Sequence, residues 1–205
     1  MPNRIKADSA SGLQLISDSS DEIQIQSGSD TVAIINSSGI TMGSGKAISG
    51  AGAGGKILQV VSTTKTNTWS GTTGSWQDIT GFSVSITPSS TSSKVLVNVH
   101  INGSNGDLAA FRLMRDSTAI GIGDSGGGSR QQGTIGPMSF SRDSNRCFAA
   151  SMMFLDSPST ISATTYKLQT FCHSSTNYIN RTNSDTDANY NSRPISTITV
   201  MEIAG

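Results

Sequence analysis

The chain has 205 residues and a formal net charge of zero, with 14% charged and 34% hydrophobic residues, so Ser, Thr, Asn and Gly carry most of its polarity. A charge fraction well under the usual ~25%, with no basic surplus to neutralise phosphates, excludes a generic nucleic-acid binder. Ordered apolar alternation at low net charge excludes a disordered chain, and no run approaches the ~20 apolar residues of a membrane-spanning helix.

Residues 1–12 are polar and irregular, without the apolar stretch of a secretory signal. From Leu13 onward short apolar couplets recur: Leu13/Leu15, Ile23/Ile25, Val32/Ile34 and Ile40/Met42, with starts 10, 9 and 8 residues apart. Each couplet has period two, and Ser, Asp, Gly or Asn fills the gaps, which predicts very short strands in a degenerate repeat over 13–50. So little apolar surface per turn cannot build a core within one chain, so neighbouring copies are expected to complete it. The segment Gly43–Lys56 is rich in small residues and marks the domain boundary, with 51–56 as linker. Its glycines lack the every-third spacing of collagen.

From Ile57 an all-β pattern takes over. Strands are expected at Ile57–Thr63, Ala109–Arg115, Ala119–Gly123, Ile135–Phe140, Cys147–Leu155, Tyr166–Cys172 and Ile195–Ile203. The centre of the domain is Ile79–Asn102. Phe82, Val84 and Ile86 alternate with polar residues, Pro88 to Ser93 interrupts, and Val95, Val97, Val99 and Ile101 resume the alternation. This reads as a β-hairpin that needs a second sheet over its apolar face. Cys147–Leu155 is apolar on both faces and is expected to lie centrally. In the last strand Ile198 and Val200 lie on one side, Met201 and Ile203 on the other, so a subunit interface is the economical second cover. Regular turn signals between these strands predict an antiparallel jelly-roll β-sandwich over 57–205.

Cys147 and Cys172 each sit beside a phenylalanine. They could pair, but their spacing fits no disulfide framework or metal motif, and buried free thiols are the expectation.

The succession GKILQVVST, GFSVSITPSSTSSKVLVNVHI, FRLMRDSTAIGIGD, FLDSPSTISATTYKLQTF and STITVMEIAG resembles the C-terminal domains of bacteriophage tail-fibre and related virion fibre proteins. The upstream GLQLISDSSDEIQIQSGSDTVAIINSSGITM is similar to the short stalks of such fibres, whose terminal domains resemble trimeric C1q/TNF-like jelly rolls. The resemblance covers nearly the whole chain. It implies a homotrimer on a virion, assembled in the bacterial host cytoplasm and exposed on the particle surface. On that reading residues 1–12 attach to other tail or capsid proteins, 13–50 form an intertwined stalk, and 57–205 form a knob that meets a host surface glycan or protein. The alternative is a decoration or adaptor protein of the virion that binds no receptor.

Several motifs dissolve on inspection. Gly123–Gly127 spells GDSGG, the sequence around the nucleophile of trypsin-like proteases, but that chemistry needs a distant upstream histidine and a buried aspartate. His100, the one upstream histidine, lies 25 positions before Ser125, and a glycine-rich loop is the better reading. No phosphate-cradling GxxxxGK[ST] is present. Asp185, Asp187 and Asn189 begin like a calcium loop, but Tyr190 occupies the glycine position and Ser196 that of the bidentate glutamate. His100 and His173 lack ligand-type neighbours for zinc. Glycoside cleavage needs paired carboxylates, and the two glutamates, Glu22 and Glu202, lie in the stalk and the last strand. A non-enzymatic protein without cofactor or metal is expected.

The insertion His173–Arg193 carries two tyrosines, two arginines, five asparagines and two aspartates. Aromatic faces stack on sugars, while Asn, Asp and Arg hydrogen-bond hydroxyls and carboxylates directionally. The candidate receptor contacts are Tyr178, Asn180, Arg181, Asp185, Asp187, Tyr190 and Arg193. The candidate subunit contacts are Leu13, Leu15, Ile23, Ile25, Val32, Ile34, Ile40, Met42, Met201 and Ile203.

Overall fold

The computed structural model describes residues 23–27, 29–37, 39–43, 56–72, 74–105, 107–139 and 145–205. No helix occurs among them, and every sheet is antiparallel. The chain divides into two compact units, Met1–Ala53 and Gly54–Gly205.

In the first unit β1 (Ile23–Ser27), β2 (Asp30–Asn36) and β3 (Gly39–Met42) form a three-stranded meander. Three of the apolar couplets thus fall on one strand each, whereas Leu13 and Leu15 lie outside the described residues. Register sorts the side chains. Ile23 and Ile40 flank Ile35, and Ile25 and Met42 flank Ala33, so these six share a face. Val32 and Ile34 have the opposite parity and point to the other side with Gln24 and Thr41. Ala33 is the buried apolar residue here; Ile25 and Ile40 are 47% and 62% exposed. A small sheet with apolar residues on both faces and, among the described residues, one buried apolar side chain is marginal in water by itself.

The second unit is an antiparallel sandwich. One sheet contains β4 (Ile57–Lys65), β14 (Ser196–Ile203), β7 (Lys94–Asn105) and β11 (Phe148–Asp156), in that order. The other contains β6 (Gln77–Ile86), β12 (Thr164–Cys172), β8 (Leu108–Arg115) and β10 (Ile135–Ser139), with β9 (Thr118–Ile120) also on β8. Counted as eight main strands in chain order, the sheets read 1-8-3-6 and 2-7-4-5, the winding of a jelly roll. The core lies between them: Phe82, Val84 and Ile86 face Val95, Val97, Val99 and Ile101, with Phe111, Leu113, Tyr166, Leu168, Ile198 and Val200.

Two expectations are corrected. The strands on either side of Pro88 are not a hairpin: β6 pairs with β12, whereas β7 pairs with β14, β11 and a short strand described below. The Thr87–Ser93 connection crosses from one sheet to the other, so the two apolar faces meet head-on rather than side by side. Strand β11 is an edge, paired to β7 alone. Its second apolar face therefore has another cause, taken up below.

Two polar clusters tie the sheets together. Asp156, at the end of β11, accepts both oxygens' bonds from Arg115 Nη1 at 3.0 Å and one from Tyr166 Oη at 2.7 Å. Burial and the neighbouring carboxylate push the Tyr166 phenol well above its usual range. At the other end Glu202 points inward from β14 and receives Gln59 and Ser89. The two cysteines are free thiols, Cys172 buried and Cys147 half-buried, and burial raises both pKa values.

Candidate functional site

Strand parity gives the outward side of the β4–β14–β7–β11 sheet a definite chemistry. Val60 lies opposite Met201, Met201 opposite Leu96, and Leu96 opposite Leu155, one apolar residue per strand across four strands. Met153 stands one position further along β11, and Ile203 one along β14. Val60 is 56% exposed and Met153 66%. The next rows turn polar: Ser62, Thr199 and Asn98, then Thr64, Thr197, His100 and Ser151. His100 there contacts Ser151 Oγ at 3.0 Å through Nδ1 and Asn102 Nδ2 at 3.1 Å through Nε2. A contiguous apolar band on an otherwise hydrophilic surface marks an interaction face. Met201 and Ile203 lie on it, together with Val60, Leu96, Met153 and Leu155, which the sequence reading did not single out. For Met153 and Leu155 the signal was the apolar second face of Cys147–Leu155.

The insertion is more ordered than its composition suggests. Within it β13 (Asn177–Ile179) pairs with β5 (Trp69–Gly71) and with Gly103–Asn105 of β7. Gly103 also pairs with Phe148 on its other side, so β13 continues the sheet where β14 leaves off. Trp69 packs against the core, while Trp76 lies on the outer side of the other sheet under Arg112.

Asn180 follows β13 with φ of 59°, a left-handed backbone that asparagine tolerates better than most residues. It is fully buried, so as folded it does not reach a receptor. Its Nδ2 donates to Lys65 O at 2.7 Å and Asn67 O at 3.2 Å, and its Oδ1 accepts from Ser196 Oγ at 2.6 Å. We expect Asn180→Ala to cost about 2 kcal/mol, because it strands two buried groups and strains the backbone; thermal unfolding at fixed protein concentration checks this.

The remaining candidates gather around Asp185. Arg193 grips its carboxylate in a bidentate pair, Nε at 3.0 Å and Nη2 at 2.7 Å, and Arg181 Nε lies 3.6 Å away. The Arg193 hydrogen bond, opposed by some desolvation and helped by Arg181, holds the Asp185 carboxyl below the usual range. Arg181 also covers the Tyr178 ring at 4.4 Å. Thr182 and Asn191 brace the loop from within. A shallow cavity of about 390 Å³ opens between Asp185, Asp187, Asn191 and Arg193. Asp187 and Arg193 are exposed where they line it, and Tyr190, on the same loop, is also exposed. Such a surface offers an aromatic face and directional polar groups but no nucleophile–base pair. Among the described residues, no group of three His, Cys, Asp or Glu side chains is placed to hold a metal, and no helix is long and apolar enough to cross a membrane.

No family model and no curated protein matches the chain.

Proposed function

We propose that this chain is a non-enzymatic virion fibre of the bacteriophage kind, a homotrimer whose jelly-roll knob contacts a receptor on the host surface. The observation that carries the reading is the apolar row Val60–Met201–Leu96–Leu155 on the outward side of one sheet. Water-facing apolar rows are costly at roughly 25 cal/mol per Å², and copies packed around a common axis would cover them in a closed assembly. The β1–β3 meander supports the same reading, since among the described residues Ala33 alone of its apolar side chains is buried and association of copies would cover the others. With that face covered, the outer sheet and the Asp185 loop stay free to meet a host surface. Arms at 1–12 would join other tail or capsid proteins.

The second reading, a decoration or adaptor protein, draws support from the Asp185 loop itself. Arg181 and Arg193 are already committed to Asp185, which leaves fewer free polar groups than the composition promises. Competition separates the two. Soluble chain at micromolar concentration should reduce adsorption of the particles that carry it, by an amount that saturates; adsorption unchanged at saturating chain favours the decoration reading.

A further inference from the structure

The outward side of the second sheet, β6–β12–β8–β10, carries a cavity of about 350 Å³ whose lining is mainly apolar. Its floor follows from strand parity: Ala110 on β8 lies directly opposite Phe171 on β12, both pointing away from the core. Leu108 and Pro137 close the sides. Trp76 stands behind Phe171, their ring centres 5.7 Å apart, and fixes Gln131 by donating its Nε1–H to Oε1 at 3.0 Å. This slot is on the opposite sheet from the apolar subunit face, so an assembly through that face leaves it open.

Two polar groups converge on the slot, and both have unspent capacity. Arg130 is placed by the glycine-rich loop. Gly126, Gly127 and Gly128 all have positive φ, 50°, 71° and 73°, a run that side chains would strain. This backbone turns the Gly126 and Gly127 carbonyls onto Arg130 Nη1, at 2.7 and 3.2 Å. Nε and Nη2 have no recorded partner among the described residues, and no carboxylate pairs with the guanidinium there. His173 forms the opposite rim, and its Nδ1 lies 3.0 Å from Asp107 Oδ2. A carboxylate there places the proton on Nδ1 and leaves Nε2 as an acceptor. Ser174 bonds the same Asp107 oxygen, so that negative charge is engaged away from the slot.

We propose that this cleft binds an acidic N-acylated sugar: the acyl methyl packs in the slot against Leu108, Ala110 and Phe171, the carboxylate pairs with Arg130, and His173 Nε2 accepts from a hydroxyl. The chemistry selects this class on three counts. The lining is too apolar to satisfy a bare hydroxylated ring, yet it suits a methyl group beside an aromatic ring. A guanidinium with two free donors prefers a planar carboxylate. A sugar hydroxyl completes the histidine. The loop that resembles a protease signature thereby acquires a task, the placement of Arg130.

This inference rests on the receptor-contact reading for its biological setting, and the two fail separately. The test uses the full chain and four probes: N-acetylneuraminic acid and N-acetylmuramic acid, with N-acetylglucosamine lacking the acid and glucuronic acid lacking the acyl group. Saturation-transfer NMR should show the strongest transfer to the acetyl methyl of at least one acidic N-acyl sugar, with affinity in the roughly millimolar range of a single sugar. Arg130→Met should weaken that sugar at least tenfold while leaving N-acetylglucosamine unchanged, and Leu108→Ser should weaken both N-acyl classes. Far-ultraviolet circular dichroism confirms that each variant is folded. The proposal is overturned if neither acidic N-acyl sugar binds, or if both variants, folded, bind the probes like the parent chain. A chain that binds these sugars but does not reduce adsorption supports the cleft and removes its receptor role. One that reduces adsorption but binds none of the probes overturns the cleft and leaves the receptor reading intact.

Discussion

Glu202→Gln should lower the melting temperature by roughly 4–8 °C at neutral pH, from a loss of about 2 kcal/mol in a chain of this size. The carboxylate is fully buried in the last strand and faces three donors: Gln59 Nε2 at 2.6 Å on one oxygen, and Ser89 N–H at 2.7 Å and Ser89 Oγ at 2.6 Å on the other. A glutamine presents one NH₂ where an oxygen stood. In one orientation that group meets the Ser89 N–H. In the other it meets Gln59, which cannot turn without giving up its own bond to Thr87 O at 2.7 Å. Glu202→Ala strands all three donors and should cost more, about 3 kcal/mol. Burial alone would raise the Glu202 pKa; the hydrogen bonds from Gln59 and Ser89 outweigh it and hold the group down at about 2, from an ordinary 4.5. A carboxylate depressed in the folded state contributes stability that is complete above its unfolded pKa and lost as pH falls toward its folded one. The gap between parent and Glu202→Gln melting temperatures should therefore be full at pH 7, start to close below about pH 4.5, and be smallest near pH 2. Scans at fixed protein concentration read this directly, since an oligomer's melting point moves with concentration. Equal melting points at pH 7, or a gap constant down to pH 2, would contradict the role given to Glu202.

Leu96→Glu should dissociate the assembly, weakening it by roughly a hundredfold or more, because closing the interface would then bury an unpaired charge. Leu96 is the right residue for the test. It lies between Met201 and Leu155 in the apolar row, and its side chain points away from the core that Val95 and Val97 fill. The monomer fold should survive, which separates lost association from lost structure. Thr64→Glu, two rows from the Val60–Met201–Leu96–Leu155 row and already exposed, serves as a control expected to have a smaller effect. Sedimentation velocity across a dilution series gives both results. If Leu96→Glu sediments like the parent chain at every concentration, the apolar row is not the subunit contact.

Most of the eight main strands of the sandwich are legible in the sequence from a period-two pattern or a run of apolar residues bounded by turn signals, as in Phe82–Ile86, Val95–Ile101 and Phe148–Leu155. The pairing of those strands is not. Phe82–Ile86 and Val95–Ile101 show the same alternation whether they lie side by side in one sheet or face each other across the core. Periodicity reports which face is apolar, not which strand is the neighbour. Proximity in sequence favoured a hairpin, yet the seven residues Thr87–Ser93 are long enough to cross the sandwich. Strands β5 and β13 escape notice for a different reason. At three residues each they have no period to detect, and sheet position alone defines them. That blindness carries over to the candidate site. Asn180 looks like its polar neighbours in HSSTNYINRTN, but it directly follows a strand and is drawn into the interior. Asp187, Tyr190 and Arg193, equally polar or aromatic in the same insertion, stay exposed. The apolar second face of Met153–Leu155 is plain in the sequence; its meaning is not, since a central strand and an edge strand with an apolar outward face read alike.

The three-stranded meander of β1–β3 shows the same limit at smaller scale. Couplets locate β1, β2 and β3, but the two-residue period cannot tell which couplets share a side. Register assigns Ala33 and Ile35, rather than Val32 and Ile34, to the face of Ile23, Ile25, Ile40 and Met42.

The most direct measurement is the mass of the full chain in solution by light scattering at micromolar concentration. The trimeric fibre proposed above, associating through the outward face of the β4–β14–β7–β11 sheet, predicts a particle of about three times the 21.3 kDa of one chain, stable on dilution. A particle of one chain's mass, folded and with that apolar row left in water, would contradict it.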